Sequence, residues 1–400
     1  MGKPTIRFEG YTDDWEQRKF GDAFKEYSEK NHIELPALTI IQGGGTIKRE
    51  ESDRNLMYDK ANLSNYKMVQ KDDFIVHLRS FEGGLEKSSL DGIISPAYHT
   101  FHSNEADSRF YYPYFRSHEF IKHKLVPHVY GIRDGRSIDI DGMKTIEIPY
   151  PSMEEQRKIG DFLECLDHLI TLHQRKCEET KKIKKFMLQK MFPKKGEKVP
   201  EIRFDGFTDD WEQRKLGDIY GLIGNAFVGT ATPYYAEQGH FYLESNNVKD
   251  GQINHNSEVF INDEFYEKQK DKWLHTGDMV MVQSGHVGHA AVIPEELDNT
   301  AAHALIMFRN PKEEIEPYFL NYEYQTDKAK KKIENITTGN TIKHILSSDM
   351  QEFVVDVPKY EEQKVIAGYF SNIDNLITLH QHKCKELQNI KKFMLQNMFI

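Results

Sequence analysis

The strongest constraint on this chain is a repeat of its own sequence. Residues 6–22 read IRFEGYTDDWEQRKFGD and residues 202–218 read IRFDGFTDDWEQRKLGD, so 14 of 17 positions are identical at an offset of 196. A second pair of segments, 150–192 and 357–399, matches at 24 of 43 positions at an offset of 207. Because a repeated segment usually marks a repeated structural module, the sequence predicts two copies of one scaffold.

The segments between the repeats, 24–149 and 220–356, barely resemble each other. Neutral drift after a duplication would change ends and middles alike. Near-identical ends therefore indicate one task done twice, such as binding two copies of one partner, and the divergent middles indicate two different tasks. The predicted organisation is a repeated head (1–23), a first middle domain (24–149), a first long helix (150–192), a linker (193–201), a second head (202–219), a second middle domain (220–356) and a second long helix (357–400).

The second repeated segment predicts a long helix in each half, over 154–191 and 361–398. Both segments lack proline, and apolar residues recur at intervals of three and four, among them Ile170 and Ile377. At ~1.5 Å per residue each helix is roughly 57 Å long, which is too long to bury its apolar stripe on a small domain. We therefore expect the two helices to pair with each other as an antiparallel coiled coil.

The predicted fold class is α+β, with two α/β domains separated by the two long helices in a pseudo-two-fold repeat. Apolar runs predict strands over 73–78, 278–282 and 353–357, and residues 317–335 are predicted to be helical. The glycine-rich run Gln42–Thr46 is interpreted as a flexible loop, because no lysine–serine pair follows it as in a phosphate-binding loop.

Composition favours a cytoplasmic protein without a membrane segment. No apolar run approaches the roughly 18 residues of a membrane span, and the three cysteines include no close pair. The formal net charge of −10 opposes general nucleic-acid binding. Clustering matters more than the total, however, and the lysine-rich stretch 181–198 is locally basic.

Taken together, these features resemble the specificity subunits of type I restriction–modification systems. The marks are the duplicated head, the Pro-x-x-Glu-Glu-Gln at the start of each long helix, and the IKKFMLQ-MF end. In the middles, GDMVMVQSGHVGHAAVIPEEL and LRSFEGG are similar to that family's target-recognition domains. The resemblance covers essentially the whole chain.

The resemblance implies that each middle domain grips one half of a split double-stranded DNA target, and that the helices set the distance between the halves. It also implies two modification subunits that methylate adenine with S-adenosylmethionine, and restriction subunits that cleave DNA using ATP and Mg. This chain would then hold no cofactor and no catalytic residue. The sequence agrees, since it lacks a Gly-x-x-x-x-Gly-Lys-Ser/Thr loop and an Asn/Asp-Pro-Pro-aromatic tetrapeptide.

Two other classes of protein compete with this interpretation. One is a coiled-coil adaptor without a DNA role, which would leave the two unlike, loop-rich middles unexplained. The other is a self-contained restriction or methylation enzyme, against which the missing motifs count.

Candidate DNA contacts lie in polar, glycine-containing loops. Arginine forms paired hydrogen bonds to guanine, and glycine lets the backbone approach a groove. The alternative at each position is an ordinary solvent-facing turn. Two histidines in the second middle suggest a metal, but no third ligand stands at a suitable spacing, so no metal site is predicted. The candidates are Arg79, Ser80, Gly83, Arg133 and Arg136 in the first middle, and Ser284, His286, His289, Thr338, Asn340, Thr341 and Lys343 in the second.

Scaffold and partner contacts are expected from residues that the repeat preserves. Trp15 and Trp211 occupy the same place in the two heads, which favours a shared scaffold role over DNA reading. On each long helix a histidine and a cysteine four residues apart share one face, and antiparallel pairing would bring both pairs together at the helix midpoints. We expect a polar layer that fixes the helix register rather than a zinc site. These four residues are His173, Cys177, His380 and Cys384.

Overall fold

The computed structural model describes residues 4–52, 60–77, 79–131, 136–339 and 343–399. Its contacts divide the chain into unit 1, residues 1–174 with 381–400, and unit 2, residues 175–380. The division falls inside both long helices, so each unit contains one middle domain and a part of each helix.

Unit 1 contains the first head and the first middle domain. Its α-helices are α1 (Phe20–Ala23), α2 (Ser80–Gly83), α3 (Ser108–Phe115), α4 (Ile140–Lys144) and the first part of α5 (Met153–Lys190), together with the last part of the second long helix. Its strands are β1 (Glu16–Lys19), β2 (Lys25–Tyr27), β3 (Leu38–Ile41), β4 (Gly45–Lys48), β5 (Lys67–Val69), β6 (Phe74–Val76), β7 (Glu86–Lys87), β8 (Gly92–Ile94), β9 (His99–His102), β10 (Val129–Tyr130), β11 (Ser137–Ile138) and β12 (Glu147–Tyr150).

Unit 2 contains the second head and the second middle domain. Its α-helices are α6 (Leu216–Ile219), α7 (Asp263–Glu267), α8 (Pro317–Tyr324), α9 (Asp327–Ile336), α10 (Ser347–Gln351) and the first part of α11 (Tyr360–Asn397). Its strands are β13 (Glu212–Lys215), β14 (Tyr220–Asn225), β15 (Tyr235–Ala236), β16 (His240–Leu243), β17 (Val248–Lys249), β18 (Gln252–Ile253), β19 (Phe260–Ile261), β20 (Met279–Val282), β21 (Ala290–Val292), β22 (Ala301–Ala302), β23 (Leu305–Pro311) and β24 (Val354–Val357).

The two middle domains are built on different sheets. Unit 1 has one four-stranded sheet in the order β2-β9-β6-β7, whose inner strand β6 is buried along its length, with Phe74 and Val76 in a phenylalanine-rich core. Unit 2 has two four-stranded sheets, β14-β23-β20-β21 and β15-β19-β16-β22, the first antiparallel throughout. The divergence of the two middle sequences is therefore a divergence of topology.

The heads and helix starts form the same arrangement in each unit. Strand β1 pairs with β12, and β13 pairs with β24, each antiparallel just before a long helix. Arg7 Nε donates to Glu155 Oε1 at 2.6 Å, and its counterpart Arg203 Nε donates to Glu362 Oε1 at 2.7 Å. Both carboxylates are buried, so each pair fixes its head onto the helix by charge-assisted hydrogen bonds.

The glutamine of the Glu-Glu-Gln motif holds the middle domain in the same way. Gln156 Oε1 accepts from the backbone N–H of Asp107 at 2.9 Å, and Gln363 Oε1 accepts from that of Glu316 at 3.0 Å. Asp107 and Glu316 cap α3 and α8. The repeated Glu-Gln pair thus joins the head and the middle domain to the helix in both units.

Trp15 and Trp211 are both buried in the cores of their units, but their indole N–H groups differ. Trp15 Nε1 donates to Glu155 Oε2 at 3.1 Å, whereas Trp211 Nε1 has no hydrogen-bond partner among the described residues. Both residues lie in the repeated heads. The expected scaffold role of the two tryptophans is based on this position.

The long helices begin and end within one residue of their predicted bounds. Ile170 and Ile377 of the predicted apolar stripe are buried. Cys177 is also buried, while His173, His380 and Cys384 are partly exposed. The predicted meeting of these four residues involves both units and stays a prediction. Within the described ranges, no group of three or more His, Cys, Asp or Glu side chains is arranged to hold a metal ion.

Within each unit the two helices run antiparallel. In unit 1, Lys391 forms an ion pair with Asp167, and Phe399 packs at 5.0 Å on Phe110, which lies against Gly160 earlier on α5. In unit 2, Lys184 Nζ lies 2.7 Å from Asp374 Oδ1, and Phe192, beyond the end of α5, packs at 6.1 Å on Phe370. The predicted α+β class with antiparallel long helices is confirmed.

Residues 317–335 are helical as predicted, but in two helices. The Thr326 hydroxyl accepts from the backbone N–H of Ala329 at 3.2 Å and caps α9. A new helix starts there because an N-cap residue takes an extended backbone conformation. As for membranes, no helix in the described ranges is both long and apolar enough to span a bilayer.

Candidate nucleic-acid interface

Several connections of unit 2 leave one end of the β14-β23-β20-β21 sheet. The pairings Asn225 with Ile306 and Val282 with Leu305 align the end of β14, the start of β23 and the end of β20. The segment after β14, the segment before β23 and the loop after β20 therefore lie together at this end of the strands. We call this end of the strands the sheet edge of unit 2. Loops at one edge of a rigid sheet are a common place for binding residues.

The two candidate loops of unit 2, separated by about fifty residues, are hydrogen-bonded to each other at this edge. The backbone N–H of Gly285 donates to the carbonyl of Lys343 at 3.1 Å, and that of Ile345 donates to Gln283 at 3.0 Å. Thr338 and His344 exchange two backbone hydrogen bonds of 2.9 and 2.8 Å, which joins the two ends of the second loop. The structure thus brings together four candidates, Ser284, His286, Thr338 and Lys343; Asn340 and Thr341 lie outside the described residues.

His289 lies at the inner side of the same loop. It is half-buried, and its Nδ1 accepts from the backbone N–H of Asp250 at 3.2 Å. Burial lowers the pKa of His289, and the nearby Lys249 and Lys330 lower it further against the Asp250 carboxylate. The lowered pKa favours the neutral form of the His289 imidazole.

In unit 1, three candidates surround helix α2. Arg79 is exposed just before the helix. Ser80 is fully buried, and its hydroxyl accepts from the backbone N–H of His77 at 2.9 Å, so this side chain shapes the turn instead of facing solvent. A Cβ at Gly83 would lie 2.2 Å from Gln42 Nε2, which shows that the Gln42 side chain crosses this glycine.

Arg136 comes to the same surface from a distant part of the chain. Its guanidinium lies 5.7 Å from the centre of the Phe81 ring on α2. Phe81, Lys122 and Arg136 line one cavity of about 390 Å³. The structure therefore groups Arg136 with the α2 candidates beside a basic cavity, whereas Arg133 lies outside the described residues.

Sequence reasoning missed two elements at these surfaces. One is the β3–β4 turn, where Gly43 N donates at 2.7 Å and Gly45 N at 3.2 Å to the carboxylate of Glu86, a fully buried residue that also pairs with Arg116. The other is residues 226–230, which leave the sheet edge of unit 2. Neither element carried a signal in the sequence: Glu86 stands beside Lys87 and near Glu82, which is typical of an exposed segment.

The fold and these loops define a class of protein: a tandem scaffold that carries two unlike loop-bearing domains. The family model described as "Type I restriction modification DNA specificity domain" matches residues 12–182 and 208–389. The match covers most of both halves, and the chain belongs to this family.

Proteins named as type I restriction enzyme specificity subunits are similar to this chain over part of their length. The chain is 26% identical over 265 residues to the type I restriction enzyme MjaVIII specificity subunit of Methanocaldococcus jannaschii, covering 64% of this chain and 61% of that protein. It is 27% identical to the putative MjaX specificity subunit of the same organism, covering 64% and 59%. The matched region thus spans about three-fifths of the length of these relatives.

Solved structures share the fold. The type I restriction–modification S subunit from M. genitalium aligns with a TM-score of 0.62 at 14% identity, covering 100% of this chain and 99% of that one. A chain from a structural study of assembly and conformational transition in the type I system aligns with a TM-score of 0.51 at 18% identity, covering 97% and 98%. At these identities the likeness concerns the fold alone.

Proposed function

We propose that this chain is the DNA-reading specificity subunit of a type I restriction–modification complex, and that each middle domain recognises one half of a bipartite duplex target. One observation carries the proposal: the family model matches both halves, whose heads are joined to the helices by the same arginine–glutamate pair while the middles differ in topology. One scaffold that presents two unlike domains suits a target with two unlike halves.

The second half-site would be read at the sheet edge of unit 2. Ser284, Thr338 and the exposed His286 offer hydrogen-bonding groups for base edges. Lys343 would donate to guanine in the major groove. Lys249 and Lys330 would neutralise phosphates, which matters because the chain as a whole carries a formal charge of −10. In unit 1, Arg79 and Arg136 would serve the first half-site.

The repeated scaffold supports the expectation of two identical partners. Two modification subunits would bind the repeated heads and helices and methylate adenine with S-adenosylmethionine. Restriction subunits would supply ATP- and Mg-dependent cleavage. This chain would contribute recognition and spacing without chemistry of its own, so the purified chain should show no methyltransferase, nuclease or ATPase turnover that follows it through purification.

The test uses the chain in complex with the modification subunit of its own operon, because the scaffold is expected to act in that assembly. Random duplexes would be selected on this complex and sequenced. We expect a split motif with two fixed halves and a constant gap. A library that emerges without sequence preference would refute the proposal.

Variants then assign each half of the motif. Lys343→Ala combined with Ser284→Ala should relax the second half only, and Arg79→Ala combined with Arg136→Ala the first half only, by roughly 10- to 100-fold in discrimination. The matched control is Lys312→Ala, because Lys312 is exposed at the opposite end of the same unit 2 sheet. Equal effects on both halves, or an effect of the control, would contradict the assignment.

A further inference from the structure

The segment Ala226–Thr230 belongs to the same sheet edge as the candidate loops of unit 2. It follows β14 directly, and β14 ends beside the start of β23, which in turn pairs with the end of β20. Every connection at this edge faces the surface proposed to meet DNA. None of the predicted contact residues lies in this segment.

This segment is held rigidly in place by its backbone. Ala226 N donates to Leu305 O at 2.9 Å, Phe227 N donates to Ala302 O at 3.2 Å, and Ala304 N donates to Phe227 O at 2.9 Å. These bonds fasten it to β22, to the start of β23 and to the residues between them. A tip held by three backbone hydrogen bonds has little freedom to turn its side chains inward.

Side chains fix the two neighbours of the tip residue. The Phe227 ring packs edge-to-face on Phe265, with ring centres 5.0 Å apart, and so enters the core of the second sheet. His303 Nε2 donates to the Gly229 carbonyl at 2.9 Å. Val228 lies between these two anchored residues.

Val228 is therefore presented to solvent. Its exposed fraction is 61%, the largest of any large hydrophobic side chain in the described part of unit 2. A β-branched side chain has few rotamers, so its methyl groups point in a fixed direction. The adjoining Gly229 and Thr230 are exposed and small, which leaves room for a partner surface to approach.

We infer that Val228 is a specificity-determining residue, and that it packs on the C5-methyl group of one thymine in the second half-site. Apolar contact with this methyl is an established way to distinguish thymine in the major groove. The inference rests on the proposed function, because it needs DNA to lie against this edge of unit 2.

The experiment replaces thymines of the selected second half-site with deoxyuridine, one at a time, and measures binding by the complex with the modification subunit. Uracil differs from thymine only by the missing methyl. At one position the wild-type complex should bind about four-fold more weakly, the effect of one buried methyl group. In Val228→Ala the same replacement should change binding by less than about 1.5-fold, because the contact is already lost.

Two controls separate this contact from general effects. Leu222→Ala removes an apolar side chain, 38% exposed, from the preceding strand β14, and should leave the uracil penalty intact. Deoxyuridine in the first half-site should act alike on wild type and Val228→Ala.

The inference is overturned if Val228→Ala keeps the full uracil penalty, if no second-half thymine shows a penalty in wild type, or if that half-site contains no A·T pair. Failure of the proposed function looks different, since the wild-type complex would then select no split motif at all.

Discussion

Glu323 offers the sharpest test of the energetics of unit 2. It lies on α8 with only 5% of its surface exposed, and its Oε1 accepts from the backbone N–H of Asp356 at 2.9 Å. Its Oε2 has no hydrogen-bond partner in the described part of the chain. Burial, with a further contribution from the nearby Asp356 carboxylate, raises the pKa of Glu323 from 4.5 to about 8, against the opposing effect of Lys328 and Lys332.

The sign of the pH dependence follows from proton binding. Between pH 4.5 and 8 the folded unit keeps the Glu323 proton that the unfolded chain releases, so wild-type stability falls as pH rises through this window. From pH 5 to pH 8 the loss amounts to about 3.5 kcal/mol. Glu323→Gln keeps an acceptor for Asp356 but cannot ionise, so it should match wild type near pH 5 and exceed its stability by about this amount at pH 8.

Urea unfolding at the two pH values measures this difference. Both proteins would carry Trp15→Phe, so that the remaining tryptophans, Trp211 and Trp273, report on unit 2. The exposed Glu334→Gln is the control and should behave alike at both pH values. A Glu323→Gln effect that does not change with pH, or that turns destabilising at pH 8, would refute the reasoning.

Three further substitutions test the packing. Glu362→Gln should lower the stability of unit 2 by about 3 kcal/mol, because it leaves the guanidinium of Arg203 without its buried partner; urea unfolding that matches wild type would count against the anchoring role. Gly84→Ala should destabilise unit 1 by roughly 1–3 kcal/mol or more, since φ is +83° and the new Cβ would lie 2.3 Å from the Phe115 carbonyl; an unchanged melting temperature in calorimetry would contradict this. Tyr324→Phe should stabilise unit 2 by about 1 kcal/mol, because the buried hydroxyl has no partner among the described residues; a destabilised variant would show a partner for it.

The repeated parts of the molecule were predictable because their signals are local. The long helices follow from proline-free segments with apolar residues at intervals of three and four, and their ends fall within one residue of prediction. The repeat also marked the heads as scaffold, where Arg7 and Arg203 make the same contact twice. Such contacts persist through a duplication because both copies need them.

Contacts between distant segments carried no such signal. The pairing of Ser284 with His344 joins residues sixty positions apart. Nothing in the sequence around either residue indicates that the other is its partner. The run Gln42–Thr46, interpreted from the sequence as a flexible loop, lies at the turn between β3 and β4, and its flexibility stays a prediction. Its backbone N–H groups are held by Glu86, whose burial depends on the tertiary fold and cannot be read from its neighbours in sequence.

The composition of unit 1 has a consequence for biosynthesis. Its core includes Met398, Phe399 stacks on Phe110 and Tyr114, and the backbone N–H of Ile6 donates to Asn397 at 2.9 Å. Unit 2, by contrast, is a continuous stretch of chain. Unit 1 can therefore complete its core only when Met398 and Phe399 are joined to the growing chain, whereas the core of unit 2 is built from consecutive residues. A chain that lacks Met398 and Phe399 would leave Phe110 and Tyr114 uncovered, and we expect such a chain to be more sensitive to proteases.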